Sequence, residues 1–209
     1  FNPGNKLRGA VKIQIAGNYA YIVSVKTGLH VVNIENPLQP KLVANIGAPE
    51  ITVARSLDIQ FRYVFIADKV GLKVVDITSP QRPRLVKNAK IPLADARDVY
   101  VMRTYAYVAA GSDGLAIIDV ESPEAPKLIE KFTANGQLND VHAITTGAVN
   151  ASIFAFVADG KNGLRVLRLI EPPFTPGHLG YSPKPTPALL ATFKTSGPAV
   201  GIAEGAKRD

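Results

Sequence analysis

The sequence has no cysteine and no tryptophan, one methionine and only three histidines. Without cysteine it can form no disulfide, hold no iron–sulfur cluster through thiolates and anchor no c-type haem covalently. That absence fits cytosol, periplasm and cell exterior equally well. No apolar run approaches the roughly 18 residues that a membrane-crossing helix needs, and no stretch reads as a signal peptide. The chain opens on Phe1 rather than methionine, from which upstream processing or truncation is expected. His30, His142 and His178 lack the mutual spacing of metal ligands. No serine sits in a G-x-S-x-G elbow, and neither a phosphate loop nor a dinucleotide fingerprint occurs. Acidic residues are outnumbered, 17 against 24 basic, for a net charge of +7. This permits acidic partners without naming one.

What is present is repetition. With 46% hydrophobic and 20% charged residues, a chain of 209 residues can bury a core. "GLHVVNIENPLQPKLV" (28–43) returns as "GLKVVDITSPQRPRLV" (71–86) and as "GLAIIDVESPEAPKLI" (114–129), at intervals of 43 residues. Each unit holds four apolar stretches. The first has an aspartate near its start (Asp58, Asp98, Asp140), with Lys12 standing there in the first unit. The second is aromatic: "YAYIV" from Tyr19, "YVFIA" from Tyr63, "YAYVA" from Tyr105 and "FAFVA" from Phe154. A turn ending in Gly28, Gly71, Gly114 or Gly163 leads to the third, and a Pro-x-x-Pro corner leads to the fourth.

Short runs rich in Val, Ile and Tyr, punctuated by Gly and Pro, predict strands. "SDG" and "KNG" predict hairpin turns. Four antiparallel strands per 43 residues is the period of a β-propeller blade. The third strands are apolar on both faces, as a blade sandwiched between two others requires. The fourth strands are basic and polar, with Lys41, Arg84 and Lys127 recurring at one position, which suits a protected outer edge. The predicted fold is therefore all-β, a propeller with units near 10–52, 53–94, 95–137 and 138–195, and 196–209 beginning a further segment. "ALLATFKT" (188–195) is the delayed fourth strand of the last unit, and "GPAVGIAEG" (197–205) begins a fifth. We expect part of a larger ring, with an apolar blade face left open at each end. The alternative is a closed five-bladed ring in which the N-terminal segment completes the last blade.

"LKVVD" (72–76), "LAIID" (115–119), the preceding "YAYVA" and the following D-V-x-S-P-x-x-P resemble the LVIVD-repeat family over roughly residues 10–169. The resemblance implies a propeller-like fold and proteins that are mostly secreted or surface-attached in bacteria and archaea. Some are encoded beside multihaem cytochromes. It carries over no catalytic residue. The fourth unit departs from the pattern. Arg168 stands where Asp76 and Asp119 stand, and insertions interrupt it near 147–153 and 171–187.

Asp58, Asp98 and Asp140 would ring one mouth of the channel and could hold a hard cation such as Ca²⁺. The competing reading is that each carboxylate caps neighbouring N–H groups and fixes blade spacing, and Lys12 breaks the ring of acids. His142 could point into the channel with Asp140. Asn33, Asp76 and Asp119 are expected to form Asx turns before the proline corners. The basic run Arg82, Arg84, Lys87, Lys90 and Arg97 lacks interleaved aromatics, so nucleic acid is not expected. "PPFTPGHLGYSPKPTP" (172–187), six prolines in sixteen residues, predicts an extended, stiff, exposed loop. Its Phe174, His178 and Tyr181 are the candidate partner anchors. The function expected is a non-catalytic, exported scaffold that docks a protein, with a multihaem c-type cytochrome as the most specific partner, or the rest of its own propeller. No cofactor is expected to be bound covalently. The alternative is a metal-binding or enzymatic propeller acting at the channel mouth.

Overall fold

A computed structural model describes residues 1–203; the last two residues of "GPAVGIAEG" lie outside that range. Among the described residues sixteen strands form four separate four-stranded antiparallel sheets, each built from consecutive strands. The first sheet is β1 (Ala10–Ala16), β2 (Tyr19–Ser24), β3 (Gly28–Asn33) and β4 (Lys41–Ile46). The second is β5 (Ala54–Gln60), β6 (Tyr63–Asp68), β7 (Gly71–Asp76) and β8 (Arg84–Pro92). The third is β9 (Asp98–Met102), β10 (Tyr105–Ala109), β11 (Leu115–Asp119) and β12 (Lys127–Phe132). The fourth is β13 (Ala143–Val149), β14 (Ser152–Ala158), β15 (Leu164–Ile170) and β16 (Ala188–Phe193), so the delayed strand falls where the sequence placed it. The helical content of the described residues is one turn of 3₁₀ helix at Pro3–Asn5.

The repeated residues set the repeated register. Tyr19 pairs with Asn33, Tyr63 with Asp76, Tyr105 with Asp119 and Phe154 with Arg168. In the first three sheets that Asx side chain turns back to accept an N–H two residues on: Glu35, Thr78 and Glu121, at 2.8–2.9 Å. This is the Asx turn expected there, and it delivers the chain to the proline corner. In the fourth sheet Arg168 has no such capacity. It lies near Glu171 (3.7 Å) and stacks on Phe174 (4.4 Å) instead.

The first strand of each sheet is innermost, β1 beside β5, β5 beside β9 and β9 beside β13. Three apolar clusters fill the spaces between sheets one and two, two and three, and three and four. Among the described residues no fourth cluster joins the last sheet to the first. Among the described residues the N-terminal segment adds no strand to the fourth sheet. It folds back on its own sheet, where Arg8 and Lys6 carbonyls accept the hydroxyls of Ser24 and Thr27. That leaves Val11, Ile13 and Ile15 of β1 exposed at one end of the arc and Phe193 at the other. At the far end an isolated bridge repeats one made a unit earlier. Ala199 bridges Gly160 as Val141 bridges Gly111 one unit earlier.

Candidate functional site

The innermost strands surround an axial cavity of about 470 Å³, lined among others by Lys12, Gln14, Asp58, Asp98, Tyr100 and Thr145. The three aspartates do not share one level. Asp98 lies opposite Ala109, and its equivalents in the other sheets are Lys12, Ser56 and Ala143, opposite Val23, Ala67 and Ala158. Asp58 is two residues further along, opposite Phe65, level with Gln14, Tyr100 and Thr145. Asp140 precedes β13 altogether. The signal was in the sequence: five, seven and fourteen residues separate these aspartates from the first aromatic of the next strand. A hairpin register converts that difference into a difference of height.

Each carboxylate has protein partners. Asp58 accepts the Val101 N–H of the next sheet at 2.7 Å, the Ile59 N–H at 2.9 Å and Gln14 Nε2 of the preceding sheet at 3.1 Å. Burial nonetheless pushes its carboxyl above the ordinary aspartate value. Asp98 accepts the Ser56 hydroxyl at 2.6 Å and the Ile144 N–H at 3.1 Å, with Lys12 Nζ at 3.8 Å. Both residues therefore tie consecutive sheets together across the axis. Asp98→Ala leaves the Ser56 hydroxyl and Ile144 N–H without their acceptor, and about 1–3 kcal/mol of stability is expected to be lost. Urea denaturation measures it. A Ca²⁺-dependent rise in Tm that Asp98→Ala abolishes would instead speak for a cation at this mouth.

At the rim, where the innermost strands begin, charges alternate from sheet to sheet. Arg55 bonds Asp95, and Arg97 Nε donates to the other oxygen of Asp95 at 2.7 Å. Arg97 Nη1 donates to Asp140 Oδ1 at 2.8 Å, and His142 Nε2 lies 3.1 Å from the same oxygen. The Arg97 guanidinium holds the Asp140 carboxyl below its ordinary range. Burial pushes Asp95 up, but Arg55 and Arg97 outweigh it and the net direction is down. Arg97, read from sequence as part of a basic run, is thus internally neutralised. Among the described residues no three His, Cys, Asp or Glu side chains are gathered as a metal site would need.

Sequence reasoning missed two fully buried aspartates. Asp68 accepts the N–H groups of Thr52 (2.7 Å), Val53 and Val70 and the Thr52 hydroxyl, with Lys73 Nζ at 3.3 Å. Asp159 accepts Asn139 and Asp140 N–H groups and pairs with Arg165 Nε at 3.1 Å. Each fastens the segment that enters its own innermost strand. The corresponding pair is Ser24 and His30 in the first sheet and Ala110 and Ala116 in the third. Burial, with Lys6 nearby, holds the His30 imidazole below its ordinary value.

The proline-rich insertion is not extended. It folds into turns around Thr175, which is buried, accepts the Glu171 N–H at 3.1 Å and lies 2.6 Å from the Thr186 hydroxyl. These contacts draw the two ends together, as in an Ω-loop. The loop reaches the third sheet. Ser182 Oγ is 2.6 Å from the Thr104 hydroxyl, and the Tyr181 ring lies under Arg103 at 5.8 Å. Phe174, Leu179 and Tyr181 stay exposed, whereas His178, expected at the surface, is half-buried. The three candidate anchors belong to one loop, but Tyr181 alone of them faces the turns of sheets two and three.

The model of the LVIVD repeat matches residues 8–47, 53–90, 94–134 and 153–167. Among solved structures, a functionally unknown protein from Desulfotomaculum acetoxidans DSM 771 is similar at TM-score 0.66 and 14% identity. The match covers 90% of this chain and 57% of that one, so the chain spans a little over half of that protein. The computationally designed Ika4 protein is similar at TM-score 0.54 and 13% identity, over 75% of this chain and 89% of that one. Hsv2 of Kluyvelomyces marxianus follows at TM-score 0.51 and 13% identity, over 77% and 49%. No curated protein matches the chain. At these identities the likeness is one of propeller-like fold.

Proposed function

The chain belongs to the LVIVD repeat family, and from that premise we propose that it is a non-catalytic scaffold that docks another protein. The observation that carries the reading is the insertion of the fourth unit. A loop fastened at Thr175, at Arg168 and at Thr104, yet leaving Phe174, Leu179 and Tyr181 in solvent, displays apolar side chains whose ordering entropy is already spent. Export to the cell exterior or periplasm, and a multihaem c-type cytochrome as the partner, are the finer form of the proposal. They follow from the family resemblance.

Immobilised protein exposed to its native extract is expected to retain one partner in stoichiometric amount with a Soret band in the eluate. Phe174→Ala/Leu179→Ala is expected to retain about tenfold less. A stoichiometric but colourless partner removes the cytochrome and keeps the scaffold, while a bare eluate removes both. A second reading, a cation or small ligand on the axis, draws on the cavity itself. Two polar atoms in its wall, Gln14 Oε1 and Thr145 Oγ1, are buried without a hydrogen-bond partner among the described residues. The Ca²⁺ measurement above tests that reading.

A further inference from the structure

The hairpin between the first and second strands is the same in all four sheets, and its first turn residue has positive φ in each: Gly17 at 56°, Phe61 at 53°, Arg103 at 55° and Asn150 at 54°. Gly and Asn are the residues such a backbone favours. A bulky side chain there is strained. Phe61 is 87% exposed, so burial among the described residues does not offset the strain there. Strained side chains at the same turn on neighbouring sheets, Phe61 in solvent and Arg103 half-buried over the Tyr181 ring, are the pattern left when a surface is kept for recognition.

Phe61 and Arg103 face a common groove of about 400 Å³, completed by Arg62, Tyr63, Val120, Pro123 and, from the insertion, Tyr181. A second groove, of about 340 Å³, continues from Arg62 to Arg82 and Arg84. The acids here are few and mostly occupied. Glu124 accepts the Tyr63 hydroxyl at 2.7 Å and lies 3.7 Å from Arg62, and Asp76 accepts the Thr78 hydroxyl and N–H. Arg82, Arg84 and Arg103 have no ion pair among the described residues, whereas Arg62 does. The surface thus offers an apolar slot edged by Tyr181, which is 75% exposed, with Arg82 and Arg103 beside it and Arg84 opposite Asp76.

We propose that this groove receives an acidic segment of a partner protein bearing an aromatic side chain. The ring packs between Phe61 and Tyr181, and carboxylates on either side meet Arg103 and the Arg82–Arg84 pair. A continuous phosphate backbone fits less well, because Asp76 and Glu121 interrupt the basic lining of the two grooves. The proposal rests on the protein-docking reading and gives that reading a surface and a partner chemistry.

The test uses Phe61→Gly and Arg103→Gly, since glycine already serves this turn at Gly17. The probe is a fluorescein-labelled peptide with one phenylalanine flanked by glutamates, followed by fluorescence anisotropy at low and high salt. Wild type is expected to bind it more weakly as salt rises. Each variant is expected to raise Kd about tenfold while its Tm holds or rises. Failure of wild type to bind, equal binding by both variants, or equal binding of the lysine-for-glutamate peptide would overturn the groove. So would tighter binding of single-stranded oligothymidylate. If the native partner is retained by Phe61→Gly but lost by Phe174→Ala/Leu179→Ala, docking stands and this groove falls.

Discussion

Gly114→Ala is expected to destabilise the protein by about 2–5 kcal/mol and to lower Tm by about 5–20 °C. Gly114 immediately precedes the third strand of its sheet at φ 75°, and a Cβ there would stand 2.3 Å from the Phe132 carbonyl oxygen of the fourth. Backbone cannot yield as a flexible side chain would, so the β11–β12 ladder must part. The same crowding meets a Cβ at Gly28, Gly71 and Gly163, from Ile46, Ile91 and Phe193 carbonyl oxygens at 2.0–2.3 Å. One glycine separates backbone strain from crowding. Gly136 has φ 84° but open space around it, so Gly136→Ala carries only the conformational penalty of about 1–2 kcal/mol. Thermal unfolding followed by circular dichroism compares the two. Equal losses would mean that close approach of the fourth strand is not what requires glycine.

Asp159→Ala is expected to remove about 3–5 kcal/mol. Arg165 is 8% exposed and would keep its donation to the Gln137 carbonyl at 2.8 Å and its bond to Thr192, but lose its counter-charge. The Asn139 and Asp140 N–H groups would lose their acceptor as well. The protein contains its own control, because the third sheet fills the same two positions with Ala110 and Ala116, both buried. Asp159→Ala/Arg165→Ala copies that solution. It is expected to be more stable than the single variant by at least about 1 kcal/mol, since no buried charge is left unpaired. Urea unfolding of the three proteins decides it. A double variant no better than the single would place the loss in the Asn139–Asp140 segment and not in the ion pair.

The blade was legible because it is written in local terms. Tyr63 and Asp76, or Tyr105 and Asp119, lie within one hairpin, and their spacing fixes register, turn and corner together. The axis was less legible, because it is built by residues from different blades. Asp58 meets Val101 and Asp98 meets Ile144 across 43 and 46 residues, so ordering the aspartates by motif set side by side residues that sit at different heights. Asp68 and Asp159 escaped for another reason. Their position is filled differently in each sheet, by Ser24 with His30, Asp68 with Lys73, Ala110 with Ala116 and Asp159 with Arg165. What repeats is a matched pair, and a search for repeated residues passes over it. The insertion declared itself by failing to repeat. Its fold depends on Thr175 meeting Thr186 and Ser182 meeting Thr104, contacts that composition cannot encode.

The unbroken strand order within each sheet bears on how the protein is made. Every ladder is completed by the next hairpin, and the innermost strand of a blade is the first to be synthesised. A blade can therefore close on itself as soon as it has emerged, before its successor exists, with low-contact-order pairings that form quickly. The newborn blade would then present an apolar face on which the next can be laid down, so blades can be added in the direction of translation, one at a time.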